Sequence, residues 1–194
     1  MKTKQFHTTE NGFVLLLTLV VVSIILAIGL SMLHITLKQL TLSNLARESE
    51  IALHAAVTGL ECMQYHRNTP VTRQKLLNED SDPDTAAPEL YCADVLPAAA
   101  PNTDHDLDIG SGELFYNYQY TYNVDTDKCV EVSLHLLDLR TADDDATRTI
   151  EEGLTELSCD AGSMCTTIFS RGFNRGCDNI EDLFTVQREL TIQY

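Results

Sequence analysis

The chain has 194 residues and a formal net charge of −16 at pH 7, and 44% of its residues are hydrophobic. Nucleic-acid binding by counterion release needs clustered lysine and arginine, and the 13 such residues form no visible patch. We therefore expect no direct binding of nucleic acid. The length accommodates one long helix and one further domain with a single core.

An uncharged apolar run occupies residues 12–33. At about 1.5 Å per residue, a helix of this length spans roughly 33 Å, which matches the hydrocarbon core of a bilayer. Lys2 and Lys4 precede the run, and we expect this positive flank to stay in the cytoplasm. The run is too long for a standard secretory signal, and no Ala-x-Ala-like site follows it. We expect a retained transmembrane helix over residues 13–33, with the rest of the chain exported.

Gly12 and Phe13 stand at the boundary between the polar leader and the apolar run. A short leader with lysines, a Gly-Phe step and an apolar run that continues into a long helix resembles the class III signal of type IV pilins and pseudopilins. The resemblance implies that residues 1–12 are a leader, that a prepilin peptidase cuts after Gly12, and that Phe13 becomes the methylated N-terminus. The alternative is an ordinary single-span anchor with an accidental Gly-Phe step.

Leu17 departs from the pattern of that family. Most pilins have a glutamate at the fifth residue after the cut, and its carboxylate pairs with the N-terminal amine of a neighbouring subunit. A buried amine without a partner is costly. The resemblance therefore implies a minor pilin or a pseudopilin, some of which cap a filament tip. The same absence fits a protein that never enters a filament.

Residues 34–67 are expected to continue the helix as an amphipathic segment. Pro70 disfavours helix at the residue before it, so the helix should end near residues 67–69. Apolar residues recur in this segment at spacings typical of one helix face. These residues are Leu42, Leu45, Leu53, Ala56, Leu60 and Met63.

The composition of residues 68–112 predicts an acidic, proline-rich connection, broken by a short element near residues 90–95. All five prolines fall between Pro70 and Pro101. In pilins the matching stretch is a variable loop on the filament surface.

Calcium binding is a more specific hypothesis for these acidic residues. Asp104, Asp106 and Asp108 alternate as they do at the start of a calcium-binding loop. The match then fails, because Ile109 takes the position of the EF-hand glycine and Phe115 that of the bidentate glutamate. A solvated acidic face is the alternative that we favour.

Residues 113–194 predict a sheet of about four antiparallel strands. The first strand, residues 113–125, alternates Tyr116, Tyr118, Tyr120 and Tyr122 with polar residues. We interpret the tyrosine face as packed against the helix, and a sugar-binding or adhesive surface is the alternative. The other predicted strands are residues 129–140, 164–171 and 186–194, and residues 149–159 form either a short helix or a strand.

One long helix packed on a small antiparallel sheet is an α+β architecture, and it is also the architecture of pilins. The C-terminal pattern adds to the resemblance, because it is similar to the ends of some bacterial pilin-like proteins. The pattern consists of Ser170, Arg171, Gly172, Phe173 and Asn174, then Cys177, then a last strand with Arg188 and Glu189.

The chain has six cysteines, all on the expected exported side, and disulfides are the natural interpretation. Six cysteines allow fifteen pairings, of which we favour Cys62 with Cys92, Cys129 with Cys177, and Cys159 with Cys165. Zinc is disfavoured, because there is no Cys-x-x-Cys pair and the histidines are scattered.

Catalysis finds little support in the sequence. There is no nucleophile elbow, no His-Glu-x-x-His, no phosphate loop and no dinucleotide fingerprint. His135 lies in an apparent strand near Asp138, but without an identifiable nucleophile we interpret this pair as surface chemistry. We expect no enzymatic activity and no cofactor.

Together with the resemblance, these features predict a minor structural subunit of a type IV pilus or a related secretion-like filament. The implied partners are other pilin subunits, a prepilin peptidase and an assembly platform in the inner membrane. The protein would be a single-pass inner-membrane protein before assembly and part of an extracellular filament afterwards. The alternative is a membrane-anchored binding or adhesion module that never assembles.

Overall fold

The structure is a computed structural model that describes residues 11–77, 88–92, 98–99, 106–108, 112–125, 127–150 and 155–194. The chain divides into two compact units, Met1–Ala46 and Arg47–Tyr194. Within the first unit, the expected leader residues 1–10 lie outside the described part of the chain.

Helix α1 spans Asn11–Asn68 and ends where the sequence predicts. Its apolar run contains the hydroxyl side chains of Thr18 and Ser23, which donate hydrogen bonds to the carbonyls of Leu15 and Val20 at 2.9 and 2.7 Å. These bonds satisfy both hydroxyls within the helix, so they need no water.

A second helix, α2, spans Pro70–Leu76, where the sequence predicted only a connection. That expectation was wrong, because Pro70 lies in the first turn of α2, where its missing N–H costs nothing and its fixed φ suits the helix. Thr69 is extended, with φ −80° and ψ 122°, and it separates the two helices. Leu76 and Leu77 anchor α2 in the core.

The described strands form one mixed-length antiparallel sheet and one separate hairpin. The strands are β1 (Ala98–Ala99), β2 (Asp106–Asp108), β3 (Glu113–Asp125), β4 (Lys128–Asp138), β5 (Ala146–Ile150), β6 (Thr155–Cys159), β7 (Met164–Phe173) and β8 (Gln187–Gln193). The sheet has the order β1-β3-β4-β7-β8, with β2 also paired to β3, and β5 and β6 form the hairpin.

This arrangement confirms the predicted α+β architecture, and the described sheet has six strands where about four were predicted. Strand β3 has the predicted bounds, and β4, β7 and β8 lie within two residues of theirs. In the uncertain segment over residues 149–159, the described residues 149–150 and 155–159 are β-structure, and the hairpin begins earlier, at Ala146. Two short strands, β1 and β2, come from the segment that was expected to be a connection.

Within the second unit, α1 packs on the sheet through small residues. Ala52, Ala55 and Ala56 are buried, and a Cβ atom added to Gly172 of β7 would collide with the helix backbone at Ala52 and Ala56. The hydroxyl of Ser170 donates a hydrogen bond to the carbonyl of Ala56 at 2.7 Å. The helix therefore lies close to β7, which only small side chains permit.

The buried face of α1 differs from the predicted apolar stripe. Leu42, Leu45 and Leu53 are exposed, whereas Ala56 and Met63 are buried as expected. The prediction ranked positions by hydrophobicity, but the contact with β7 selects for small size.

The opposite face of the sheet is covered by the β5–β6 hairpin. Leu137 of β4 and Phe169 of β7 are buried together with Ile150 and Leu157 of the hairpin, so this face has a second apolar cluster. The domain therefore has three layers, with α1 on one side of the sheet and the hairpin on the other.

Three disulfides crosslink this domain, and no described cysteine is free. The pairs are those favoured from the sequence: Cys62 with Cys92, Cys129 with Cys177, and Cys159 with Cys165. The first ties α1 to the segment before β1, the second ties β4 to the segment after β7, and the third ties the hairpin to β7.

Candidate functional site

The apolar run of α1 is the first candidate functional surface. Within the described chain, one helix is long and apolar enough to cross a membrane, and its run lies near the N-terminus. Every side chain from Phe13 to Ala46 is exposed in this structure, including Leu17 at the position of the usual pilin glutamate. These properties are consistent with single-pass membrane anchoring.

The expected processing residues lie at the start of this helix. Gly12 and Phe13 follow Asn11 in the first turn of α1, and the Phe13 side chain is exposed. Cleavage after Gly12 and methylation of Phe13 stay predictions.

The tyrosine row of β3 is part of the core, as we interpreted it from the sequence. Tyr116, Tyr118, Tyr120 and Tyr122 are each at most 5% exposed. The hydroxyls of Tyr116 and Tyr118 donate hydrogen bonds of 2.7 Å to the carbonyls of Leu77 and Leu76. The row therefore satisfies carbonyls at the C-terminal end of α2.

Burial also changes the ionisation of three of these tyrosines. Removal from water raises the pKa of Tyr122 to about 12, and it raises the pKa values of Tyr118 and Tyr120 further. These three phenols stay neutral at physiological pH. A buried row of side chains has no surface to offer, so the adhesive alternative does not apply to it.

His135 and Asp138 do not form a pair. Residues three apart on a strand point to opposite faces, and Asp138 instead forms a two-pronged ion pair with Arg140, with nitrogen–oxygen distances of 2.9 and 2.8 Å. Both residues are also buried, so the interpretation as surface chemistry was wrong.

His135 lies between two aromatic rings on the hairpin side of the sheet. Its ring stacks on Phe115 at 6.1 Å between centroids and meets Phe169 edge-on at 5.6 Å. Among the described residues, neither ring nitrogen has a hydrogen-bond partner. Burial lowers the pKa of His135 to about 4, so the imidazole is neutral at physiological pH.

Cys62, His66 and Cys92 form the group in the described chain that comes closest to a metal site. Their ligand atoms lie within 4.8 Å of one another. The two cysteines are joined in a disulfide, however, and a disulfide supplies no thiolate. Nε2 of His66 is hydrogen-bonded to the Tyr91 carbonyl at 2.9 Å. The group is therefore a structural crosslink with a buried histidine beside it.

The weak calcium candidate cannot be placed. Asp104 lies outside the described residues, and Asp106 and Asp108 are described only as backbone of β2.

A loop that the sequence did not single out forms the second candidate surface. We call residues 174–186 the C-terminal loop; it connects β7 to β8 and contains the 3₁₀ turn Cys177–Asn179. Its Leu183 and Phe184 are 97% and 79% exposed. The signal in the sequence was an apolar pair directly after Glu181 and Asp182 in a segment without strand alternation.

Asn174 holds this loop against α1. Its Nδ2 donates hydrogen bonds to Oε2 of Glu48 at 2.8 Å and to the carbonyl of Phe184 at 3.5 Å. Its Oδ1 accepts the N–H of Val186 at 2.7 Å. The C-terminal pattern noted in the sequence thus has a structural purpose, because Asn174 sets the position of the loop.

Other residues of that pattern fix the strands around the loop. Cys177 joins the loop to β4 through Cys129, and its N–H donates to Oδ1 of Asn123 at 2.9 Å. Arg171 of β7 and Glu189 of β8 form a cross-strand ion pair at 2.8 Å.

Comparison with known proteins adds no relative to this picture. No protein-family model, no curated protein and no solved structure matches the chain.

Proposed function

We propose that the protein is a membrane-anchored, pilin-like structural subunit of a type IV pilus or a related secretion-like filament. The observation that carries the proposal is the continuity of α1. One unbroken helix, Asn11–Asn68, joins an uncharged run that could cross a bilayer to a segment that packs on an antiparallel sheet. The Gly-Phe step at the head of that run supports the same class of protein.

The proposed mechanism is assembly. A prepilin peptidase removes residues 1–12 and methylates Phe13, and the apolar run then holds the subunit in the inner membrane. An assembly platform extracts the subunit so that the apolar faces of many α1 helices pack together in a filament core. The exposed leucine, isoleucine and valine side chains along residues 13–45 would supply the buried area for that packing.

Leu17 favours a minor subunit. In a filament core, the N-terminal amine of the subunit ahead needs a carboxylate, and this chain has no acidic residue between Phe13 and Arg47. A subunit at the tip has no subunit ahead of it, so it is free of this requirement. The role is structural and requires no catalytic residue or cofactor.

The first test is the mass of the mature N-terminus, measured in membranes from cells with and without a prepilin peptidase. We expect a chain that begins at methylated Phe13 only when the peptidase is present. Gly12→Leu should block the cut, because the peptidase requires a small residue there. Gly29→Leu is the matched control, since Gly29 has open space around it and lies far from the cut.

An intact leader in both strains would contradict the proposal. The remaining hypothesis would then be an anchored binding module that displays its exported domain to a partner. The exposed pair Leu183 and Phe184 is the feature of the described chain that suits such a module.

A further inference from the structure

We propose that the C-terminal loop is a docking element, and that Leu183 and Phe184 bind to residues 37–47 of α1 in a second copy of this chain. The inference rests on the proposed function, because anchoring in one membrane is what orients the second copy. It adds to that function a defined contact between the exported domain of one subunit and the helix of another.

Hydrogen bonds and a disulfide hold the loop in place on both sides of its apolar tip. Besides the Asn174 and Cys177 contacts, the hydroxyl of Thr185 bonds to the carbonyl of Asn179 at 3.2 Å, and the N–H of Thr185 bonds to the carbonyl of Asp182 at 3.0 Å. A pinned loop loses little conformational entropy when it binds. Leu183 and Phe184 are therefore held out in a geometry ready for contact.

Their exposure is otherwise unfavourable. Large apolar side chains that are almost fully exposed, side by side and on a rigid loop, leave apolar area in water that a partner could cover. In the described exported domain, from Arg47 onward, these two are the most exposed of the large hydrophobic residues.

Charge favours α1 of a second copy as that partner. The net charge of −16 makes two copies repel unless cations meet anions at the contact. The loop has the exposed acids Asp178, Glu181 and Asp182 around its apolar tip. Residues 37–47 combine exposed leucines with Lys38 and Arg47 and contain no acidic residue.

Both cations are available for such a contact. Lys38 and Arg47 are exposed, and within the described chain neither forms an ion pair. By contrast, Arg140, Arg148 and Arg171 of the second unit already have carboxylate partners. The helix segment before Glu48 therefore offers cations for the acidic residues of the loop and apolar side chains for Leu183 and Phe184.

The position of the loop along α1 also favours residues 37–47 of a second copy as the partner. Asn174 ties the loop to Glu48, directly after the segment in question. Copies that cross a membrane in the same direction have parallel helices, so segments of similar residue number face each other. A loop at the level of Glu48 would thus meet residues just before Glu48 in an adjacent copy.

Photo-crosslinking of the full chain in cell membranes tests the contact. Phe184→benzoylphenylalanine should give a covalent dimer whose crosslink maps to residues 37–47, in the tryptic peptide of residues 39–47 or at the C-terminal end of the peptide before it. Tyr91→benzoylphenylalanine is the control: Tyr91 is an exposed aromatic, and its bond to His66 places it at the other end of the packed part of α1. It should give no such dimer. A lipid adduct, another protein, another peptide of this chain or no product from Phe184 would overturn the proposal.

Charge exchange supplies an independent readout. Lys38→Glu with Arg47→Glu should lower the dimer yield about three- to tenfold, because two favourable pairs become repulsive. Adding Glu181→Lys and Asp182→Lys to this variant should restore the dimer yield. If the first two changes had instead impaired folding or membrane insertion, the second two would not restore the yield. Arg73→Glu with Lys75→Glu changes the net charge equally outside the segment and should leave the yield unchanged. Failure of the exchange to restore the dimer would contradict the assigned contact.

The N-terminal mass from the same cells separates this inference from the proposed function. A cut leader without the mapped dimer would overturn the docking contact and leave the filament proposal intact. An uncut leader with the mapped dimer would support the contact and remove the filament proposal. An uncut leader without the dimer would overturn both.

Discussion

The two parts of α1, before and after residue 46, present apolar residues of different size to different surroundings. The earlier part exposes leucine, isoleucine and valine all round, and the later part buries Ala52, Ala55 and Ala56 against the sheet. Hydrophobicity is high in the first part and modest in the second. The difference shows that, where α1 meets β7, side-chain size decides which residues are buried, because the close helix–strand approach excludes large residues.

Glycines occur in both parts of the molecule, so the space around them can be compared directly. Gly29 has no atom within 4 Å of where a Cβ would stand. Gly59 would meet the side chains of Val130, Ser170 and Val132, and Gly172 would meet backbone of α1. A methyl group therefore has no cost, a moderate cost or a high cost depending on which part of the molecule receives it.

The largest effect is expected for Gly172→Ala. Backbone atoms of α1 cannot rotate out of the way as side chains can, so the helix must move off the sheet, at a cost of about 3 kcal/mol or more. Urea unfolding of the full chain in detergent micelles, followed by tyrosine fluorescence, measures the loss. Gly59→Ala should cost less, and Gly29→Ala should not lower the free energy of unfolding, because alanine favours an exposed helix over glycine by up to about 1 kcal/mol. Equal stability of all three variants would contradict the close approach.

A charge in the apolar run tests the first part of α1. Val22→Lys places an ammonium near the middle of residues 12–33, and insertion should become less favourable by about 3 kcal/mol. Extraction of membranes with alkaline carbonate should then release much of the protein. Asn44→Lys, outside the run on the same helix, is the control and should stay in the membrane fraction. Retention of the Val22→Lys protein would contradict a membrane-spanning role for the run.

Much of the architecture could be predicted from the sequence, because local signals and tertiary packing agree there. The alternation over Glu113–Asp125 belongs to a strand with one face on the core, and its bounds were predicted correctly. The end of α1 followed from the steric effect of Pro70 on the residue before it. In both cases the chemistry of neighbouring residues alone decides the structure.

The rest depended on contacts between distant residues. Helix α2 begins at the same Pro70 that ended α1, and its last carbonyls are satisfied by Tyr116 and Tyr118, some forty residues later. The position of the C-terminal loop depends on Asn174 reaching Glu48. No local pattern contains such partners, so neither α2 nor the exposed apolar pair was predicted.

A smaller effect is expected from the protonation of His135 on the hairpin side of the sheet. The pKa of His135 is about 4 in the folded protein, below the ordinary value near 6.5, so the unfolded chain binds a proton in this range that the folded chain does not. Stability is therefore lost as the pH falls from about 6.5 to 4. His135 should contribute a decrease of about 2 kcal/mol between pH 7 and pH 5.

The contribution of His135 is isolated by comparison with His135→Phe, which keeps an aromatic ring between Phe115 and Phe169. Carboxylates titrate in both proteins, so the difference between their unfolding free energies reports the histidine alone. The difference should widen by about 2 kcal/mol from pH 7 to pH 5. A difference independent of pH would contradict a buried neutral His135.

The smallest effect is expected at the C-terminal loop, and it separates exposed apolar residues from buried ones within the second unit. Phe184→Ser removes a ring that is 79% exposed, so the free energy of unfolding should change by less than about 0.5 kcal/mol. Phe169→Ser is the same substitution at 5% exposure, and there the lost burial should cost about 3 to 5 kcal/mol. Urea unfolding of both variants measures the contrast. A large cost at Phe184 would mean that the ring stabilises its own domain, and the loop would then have no apolar surface left for a second copy.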